Sequence, residues 1–282
     1  MTTKSKGSSV RQKLVDLSEK LGVQFQNLQT AFMIERLVAR LVSDKSLSQR
    51  LVFKGGFVGL RVYESYRYTV DLDALLIKAD IESTLKLVKE KAESNLDDGV
   101  WFRFEDQIDL ATQGEYGGIR QIYRAGIGEL LKNMTRAQIV HFDLGIGDPV
   151  TPSPVKMELP SLLMGNEDIA WSIYPVETIV AEKLHALISH GNINSRSKDI
   201  HDLAIFLPKA DAVTLGKALK RSFEHRGTEL PEKFSTAIRS IDTKTLERGW
   251  QSAVASISKA PKFSDAFEAV IRQIAALEKS FS

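Results

Sequence analysis

The stretch Phe53-Lys54-Gly55-Gly56, followed by Arg61, Arg67 and Thr69 and then Val70-Asp71-Leu72-Asp73-Ala74-Leu75-Leu76-Ile77, decides how the rest of the chain is read. A Gly-Gly turn opening a short helix offers backbone N–H groups to a phosphate. In the apolar segment after it, Val70, Leu72, Ala74 and Leu76 alternate with Asp71 and Asp73, as on a half-buried strand. The two carboxylates then share one face, about 7 Å apart along the strand. They can converge on Mg²⁺, which takes oxygen ligands and substrate phosphates. Turn and acid pair together are the parts needed to hold a nucleoside triphosphate and its metal. The alternative for the aspartates alone is a solvated strand end.

Outward from this stretch, apolar spacing predicts helices over 10–21 and 28–42, a frayed end before Gly7, a short helix over 57–66 and another over 81–94. The middle is β-rich. Residues 101–110 alternate, with Phe102, Phe104, Ile108 and Leu110 on one face and Asp106 the one polar exception. Further strands are expected at 119–125 and 137–146, with a Gly-rich connection at 114–118. In the last of these strands Val140, Phe142, Leu144 and Ile146 face one way, so Asp143 faces the other with Ile139 and His141. If that strand neighbours the first, three carboxylates line one surface. Read singly, Asp143 is a polar residue on a half-exposed strand.

Pro149, Pro152 and Pro154 then break regularity. They suggest a sheet-bearing part with N-terminal helices at 1–150 and a helical part at 151–282, an α+β pattern. Helices are expected over 175–190, 198–207, 214–223, 232–239, 243–256 and 264–277. In the first of these, Lys183 falls within the stripe of Val176, Ile179, Val180, Leu184, Leu187 and Ile188, with Glu182, His185 and Ser189 opposite. An ammonium there is costly unless it snorkels or meets an anion. Asp199, with Asp202 beside it, supplies one from the next helix. A buried structural ion pair and a lysine aimed at triphosphate oxygens both satisfy this pattern.

Composition narrows the classes. The 282 residues are 43% apolar and 26% charged, as in a globular protein, and a net charge of +2 excludes a wholesale polyanion binder. No cysteine is present, which removes disulfides, thiol nucleophiles and Cys-ligated metals, and the five histidines form no HExxH-type pair. The start carries no apolar targeting segment and no run approaches membrane-spanning length, so a cytoplasmic protein without a membrane partner is expected.

Four segments in order resemble the AbiEii/MenT-type nucleotidyltransferase toxins. They are Lys54-Gly55-Gly56 with Leu60-Arg61, then residues 67–73, then Phe142-Asp143-Leu144-Gly145-Ile146-Gly147-Asp148. The last runs from Tyr174-Pro175-Val176-Glu177-Thr178 through Glu182-Lys183-Leu184 to Arg196-Ser197-Lys198-Asp199-Ile200-His201-Asp202-Leu203. That final segment is the specific one; the Gly-Gly and Asp-x-Asp parts are shared with the wider DNA polymerase β-like superfamily. The resemblance implies a polymerase β-like nucleotidyltransferase core with a mixed sheet and a helical C-terminal half. It also implies an NTP and Mg²⁺ as reactants, transfer to the 3′ acceptor end of tRNA that blocks translation, and a cognate antitoxin as partner.

Residue by residue, Thr69 and Asp71 match the family's Ser/Thr-x-Asp, Asp73 its second metal carboxylate, Lys183 its helix lysine, and Asp199 and Asp202 its Lys-Asp-x-x-Asp aspartates. Gly55 and Gly56 are then expected to cradle phosphate, with Arg61 and Arg67 as further nucleotide contacts and Asp143 orienting the attacking 3′-hydroxyl. Two rivals use the same fold: a nucleotidyltransferase that modifies a protein or small molecule, and a non-catalytic binding module.

Overall fold

The computed structural model describes residues 3–110, 117–190 and 196–281. The chain forms two compact units that alternate along the sequence. The first takes the residues up to Phe57, Tyr68–Gly147 and Lys156–Ile173; the second takes Val58–Arg67, Asp148–Val155 and Tyr174–Ser282.

The first unit is built on a sheet with, among the described residues, seven strands. These are β1 (Leu51–Lys54), β2 (Asp71–Leu76), β3 (Val100–Asp109), β4 (Gly118–Ile127), β5 (Gln138–Ile146), β6 (Val155–Leu159) and β7 (Ile169–Ile173), in the order β3-β4-β5-β2-β1-β7-β6. The sheet is mixed: β2 runs parallel to β5 and β1 to β7, while β1–β2, β3–β4 and β4–β5 are antiparallel. Alternation sets its faces. Leu72, Ala74, Tyr123, Val140, Phe142 and Leu144 are buried, on the side where Gln121 donates to the Leu85 carbonyl of α5 (Ile81–Ala92). The aspartates of β2 and β5 occupy the other side.

α1 (Thr3–Leu21), α2 (Phe25–Val42) and α3 (Lys45–Arg50) precede β1. Asp44 and Asp80 cap α3 and α5 by accepting backbone N–H bonds from Ser46 and Leu47 and from Ser83. The fully buried Arg40 of α2 grips Asp98 with two nitrogens and donates to the Ser94 and Val100 carbonyls, tying α2 to the start of β3.

Several expectations are corrected here. The helix starts at Thr3 rather than after a frayed end, and Gly7 lies so close to Gly128 that a Cβ on it would overlap that backbone. α3 and the short strands β6 and β7 were not foreseen. In β3 the alternation does not run through: a bulge between Phe104 and Asp106 leaves Glu105 out of the register with β4. Asp106 and Ile108 therefore turn to the face opposite Phe102 and Phe104, and Ile108 is exposed. The connection expected at 114–118 lies, up to residue 116, outside the described residues.

The second unit is helical: α6 (Val176–Ser189), α7 (Ser197–Phe206), α8 (Ala212–His225), α9 (Phe234–Arg239), α10 (Lys244–Ala253) and α11 (Phe263–Leu277). Its core is Leu184, Leu187, Leu203, Phe206, Leu219, Phe223, Ile238, Trp250, Val270 and Ile274, all buried. α6 is less one-sided than its sequence suggests. His185 is buried, its ring 4.7 Å from that of Phe223 and its Nε2 2.9 Å from the Thr228 hydroxyl, because α8 covers that flank. The helix α4 (Gly55–Arg61) ends in a segment held to this unit. Tyr63 donates to the Tyr174 carbonyl and packs edge-on against Phe206.

The α+β architecture, mixed sheet first and helices behind, agrees with expectation. No helix among the described residues is long and apolar enough to cross a membrane.

Candidate active site

β2 lies between β1 and β5, and its register makes the polar face of the first unit. Asp73 pairs with Asp143 on one side and Lys54 on the other, and Asp71 pairs with His141. Directly paired residues point the same way, so Asp71, Asp73 and Asp143 do share one face of adjacent strands. The start of β2 is fixed locally, since the Thr69 hydroxyl accepts the Asp71 N–H at 3.1 Å.

Gly55 is where the turn and the acid pair meet. Its φ is +73°, and a Cβ there would overlap the Asp73 carboxylate. Only glycine lets the backbone pass so close. Gly55→Ala is therefore expected to cost about 1–2 kcal/mol through the left-handed backbone alone, and more through displacement of Asp73. Urea denaturation of the variant measures this, and a midpoint equal to wild type would refute it.

Two side chains that sequence reasoning passed over join this face. Arg120 of β4 lies opposite Asp143 and forks onto it, Nε to Oδ1 at 2.7 Å and Nη2 to Oδ2 at 2.6 Å. The same Nη2 stands 3.8 Å from Asp71. The hydrogen bonds that Arg120 donates to Asp143 raise the guanidinium pKa, with desolvation opposing and the charges of Asp143, Asp71 and Asp73 acting in the same direction as the bonds. His141 places Nδ1 2.8 Å from Asp71 Oδ1. A signal existed for His141, which is two residues from Asp143 on the same face, whereas Arg120 is set opposite Asp143 only by the pairing of β4 with β5.

Among the described residues no three or more His, Asp or Glu side chains are arranged to hold a metal together. Mg²⁺ is often held by one or two carboxylates, with substrate phosphates completing its shell. Asp71 and Asp73 make such a pair, so the donor set fits that ion.

The second unit gathers the remaining predicted residues, apart from Arg61, into a cluster of its own. Lys183 of α6 donates to Asp199 at 2.5 Å and lies 2.9 Å from Asp202, both in the first turns of α7. Arg67 binds Asp202 through Nε at 3.2 Å and Nη2 at 2.8 Å, across 135 residues of sequence. Arg196 reaches Asp199 at 3.4 Å. Arg67, Asp199 and Asp202 are buried and the Lys183 side chain is 14% exposed. Burial pushes the Asp202 carboxyl up, but Lys183 and Arg67 outweigh it and hold it well below the usual carboxylate range. For Lys183 burial lowers the ammonium pKa, and Asp199 and Asp202 more than restore it. Arg61, half-buried, ends α4.

The first unit is thus a mixed sheet that carries an Asp-x-Asp pair beside a Gly-Gly turn. Several solved structures share the fold, MenT4 and JHP933 among them. MenT4, a nucleotidyltransferase toxin from Mycobacterium tuberculosis, is 16% identical with a TM-score of 0.58, over 94% of this chain and 98% of that one. JHP933 from Helicobacter pylori is 17% identical with a TM-score of 0.55, over 92% of this chain and 94% of its own. No curated protein matches the chain. Residues 36–272 match the family described as nucleotidyl transferase AbiEii toxin of type IV toxin–antitoxin systems, and the chain belongs to that family.

Proposed function

We propose that this toxin-family chain transfers a nucleoside monophosphate from an NTP to the 3′ acceptor end of tRNA, with Mg²⁺, and so blocks translation. The acceptor's 3′-oxygen bonds to the α-phosphorus, pyrophosphate leaves, and the hydroxyl proton passes to solvent. Asp71 and Asp73 would hold the ion, which supplies charge neutralisation on the phosphates. Gly55 and Gly56 offer backbone N–H groups to phosphate, and Thr69 steadies the entry to β2. For the second cluster the proposal is one of role: Lys183 counters triphosphate charge, Asp199 and Asp202 hold it in place, and Arg67 and Arg61 add positive charge. A cognate antitoxin and a cytoplasmic setting follow from a toxin that acts on tRNA.

The observation that carries this reading is Gly55 pressed against Asp73, which couples the turn to the acid pair. It is supported by family membership. The test incubates pure protein with total tRNA, Mg²⁺ and each α-³²P NTP in turn. Label on tRNA, lost when Mg²⁺ is chelated, is the expected result. Label on protein or a small molecule instead would move the acceptor, and no label in any mixture would leave a binding module.

A further inference from the structure

The Arg120–Asp143 fork changes what Asp143 can do. Both of its oxygens accept hydrogen bonds from one guanidinium, at 2.7 and 2.6 Å. A carboxylate held this way has one lone pair of each oxygen committed to the guanidinium and its charge paired, which makes it a weaker metal ligand or base than a free one. Arg120 is differently placed. Its Nη1 makes no hydrogen bond among the described residues, and its side chain is 26% exposed. Through Asp143 it sits in register with Asp73 across neighbouring strands, with Nη2 3.8 Å from Asp71. A planar fork anchored at one edge and open at the other beside an acid pair is suited to a phosphate oxygen, because guanidinium matches phosphate geometry.

We propose that Arg120 is a phosphate-binding residue of this face and that Asp143 is a positioning residue acting through it; this rests on the transferase reading above. It gives Asp143 a task other than orienting the attacking hydroxyl. The fork fixes the guanidinium at two of its nitrogens, so that a bound phosphate meets a donor already oriented rather than a mobile chain. The phosphate belongs either to the NTP tail or to the backbone of the acceptor RNA.

The test uses full-length protein and the variants Arg120→Lys, Arg120→Met, Asp143→Asn and Arg120→Met/Asp143→Asn, each first checked for folding by thermal melting. Two quantities are read: equilibrium binding of each NTP and of total tRNA in EDTA, and kcat and KM with Mg²⁺. Arg120→Lys and Asp143→Asn are each expected to weaken one phosphate ligand by about tenfold, with kcat within about threefold. Weakened NTP binding identifies the triphosphate as the ligand, and weakened tRNA binding identifies the RNA backbone. In the Arg120→Met background, Asp143→Asn should add less than about twofold.

A large fall in kcat from Asp143→Asn, whether or not Arg120 is present, would overturn the proposal. So would unchanged affinity for both ligands in every variant. A wild-type protein that binds but transfers nothing would count against the transferase reading, while the EDTA titrations still decide on Arg120.

Discussion

Asp71→Ala is expected to fold as wild type does and to transfer nucleotide slower by on the order of 10³-fold. The side chain is 32% exposed, and its partners are His141 at 2.8 Å and Arg120 at 3.8 Å. Both can turn to water when it is removed, and Arg120 keeps its fork on Asp143. The stability change should therefore stay within about 1 kcal/mol, as for an exposed pair. The rate is different, because under the proposed function loss of one acid of the pair that would hold the ion leaves the triphosphate charge unneutralised where the bond breaks. Initial rates of label incorporation beside a melting curve separate the two effects, and wild-type turnover would remove Asp71 from the site.

Lys183→Ala should be costly on both counts. Its ammonium lies between Asp199 and Asp202 inside the helical unit. Without it Asp202 keeps Arg67 and Asp199 keeps Arg196 at 3.4 Å. Stripping one partner from a buried charge cluster costs about 3 kcal/mol, and transfer should fall by on the order of 10²-fold or more.

The pH dependence follows from the directions of the shifts. Asp202 is depressed in the folded state because Lys183 and Arg67 overcome its burial. Its contribution is thus present above the unfolded value of about 4 and lost as pH falls through the lower folded one. Lys183 is raised, because Asp199 and Asp202 overcome its burial. Its contribution is present below about 10.4 and lost as pH rises through the folded value. Urea midpoints across pH should show both losses in wild type. Lys183→Ala should lack the alkaline one and show a shallower acid one. Parallel profiles for the two proteins would refute this account of the cluster.

Much of this was legible because β2 and β5 obey local alternation. Leu72 and Ala74 in one strand and Phe142 and Leu144 in the other set Asp71 and Asp73, and Asp143, opposite the apolar side of each strand, and the pairing of β2 with β5 then brings the three aspartates onto one face. Lys183 was legible as a charge within an apolar stripe, and Asp199 as its answer. What escaped depends on distant partners. The extra residue Glu105 exists only because β4 pairs past it, and nothing around Phe104 announces it. Arg120 is one of two arginines on its strand until β5 sets Asp143 opposite. Arg67 reads as a loop charge, and its bond to Asp202 spans 135 residues. β6 and β7 do alternate, with Val155, Met157 and Leu159 in one and Ile169, Trp171 and Ile173 in the other, but they follow three prolines that read as a boundary.

The alternation of the two units along the chain bears on how the gene can be dissected. β1 ends in Lys54, just before the Gly-Gly turn, and is flanked by β2 on one side and by β7, over a hundred residues later, on the other. Any fragment ended by one cut between β5 and β7 strips β1 of that neighbour and bares its hydrogen-bonding edge, an invitation to aggregate. Deletion mapping on this chain would thus report misassembly where it set out to locate activity, and point substitutions are the sounder route.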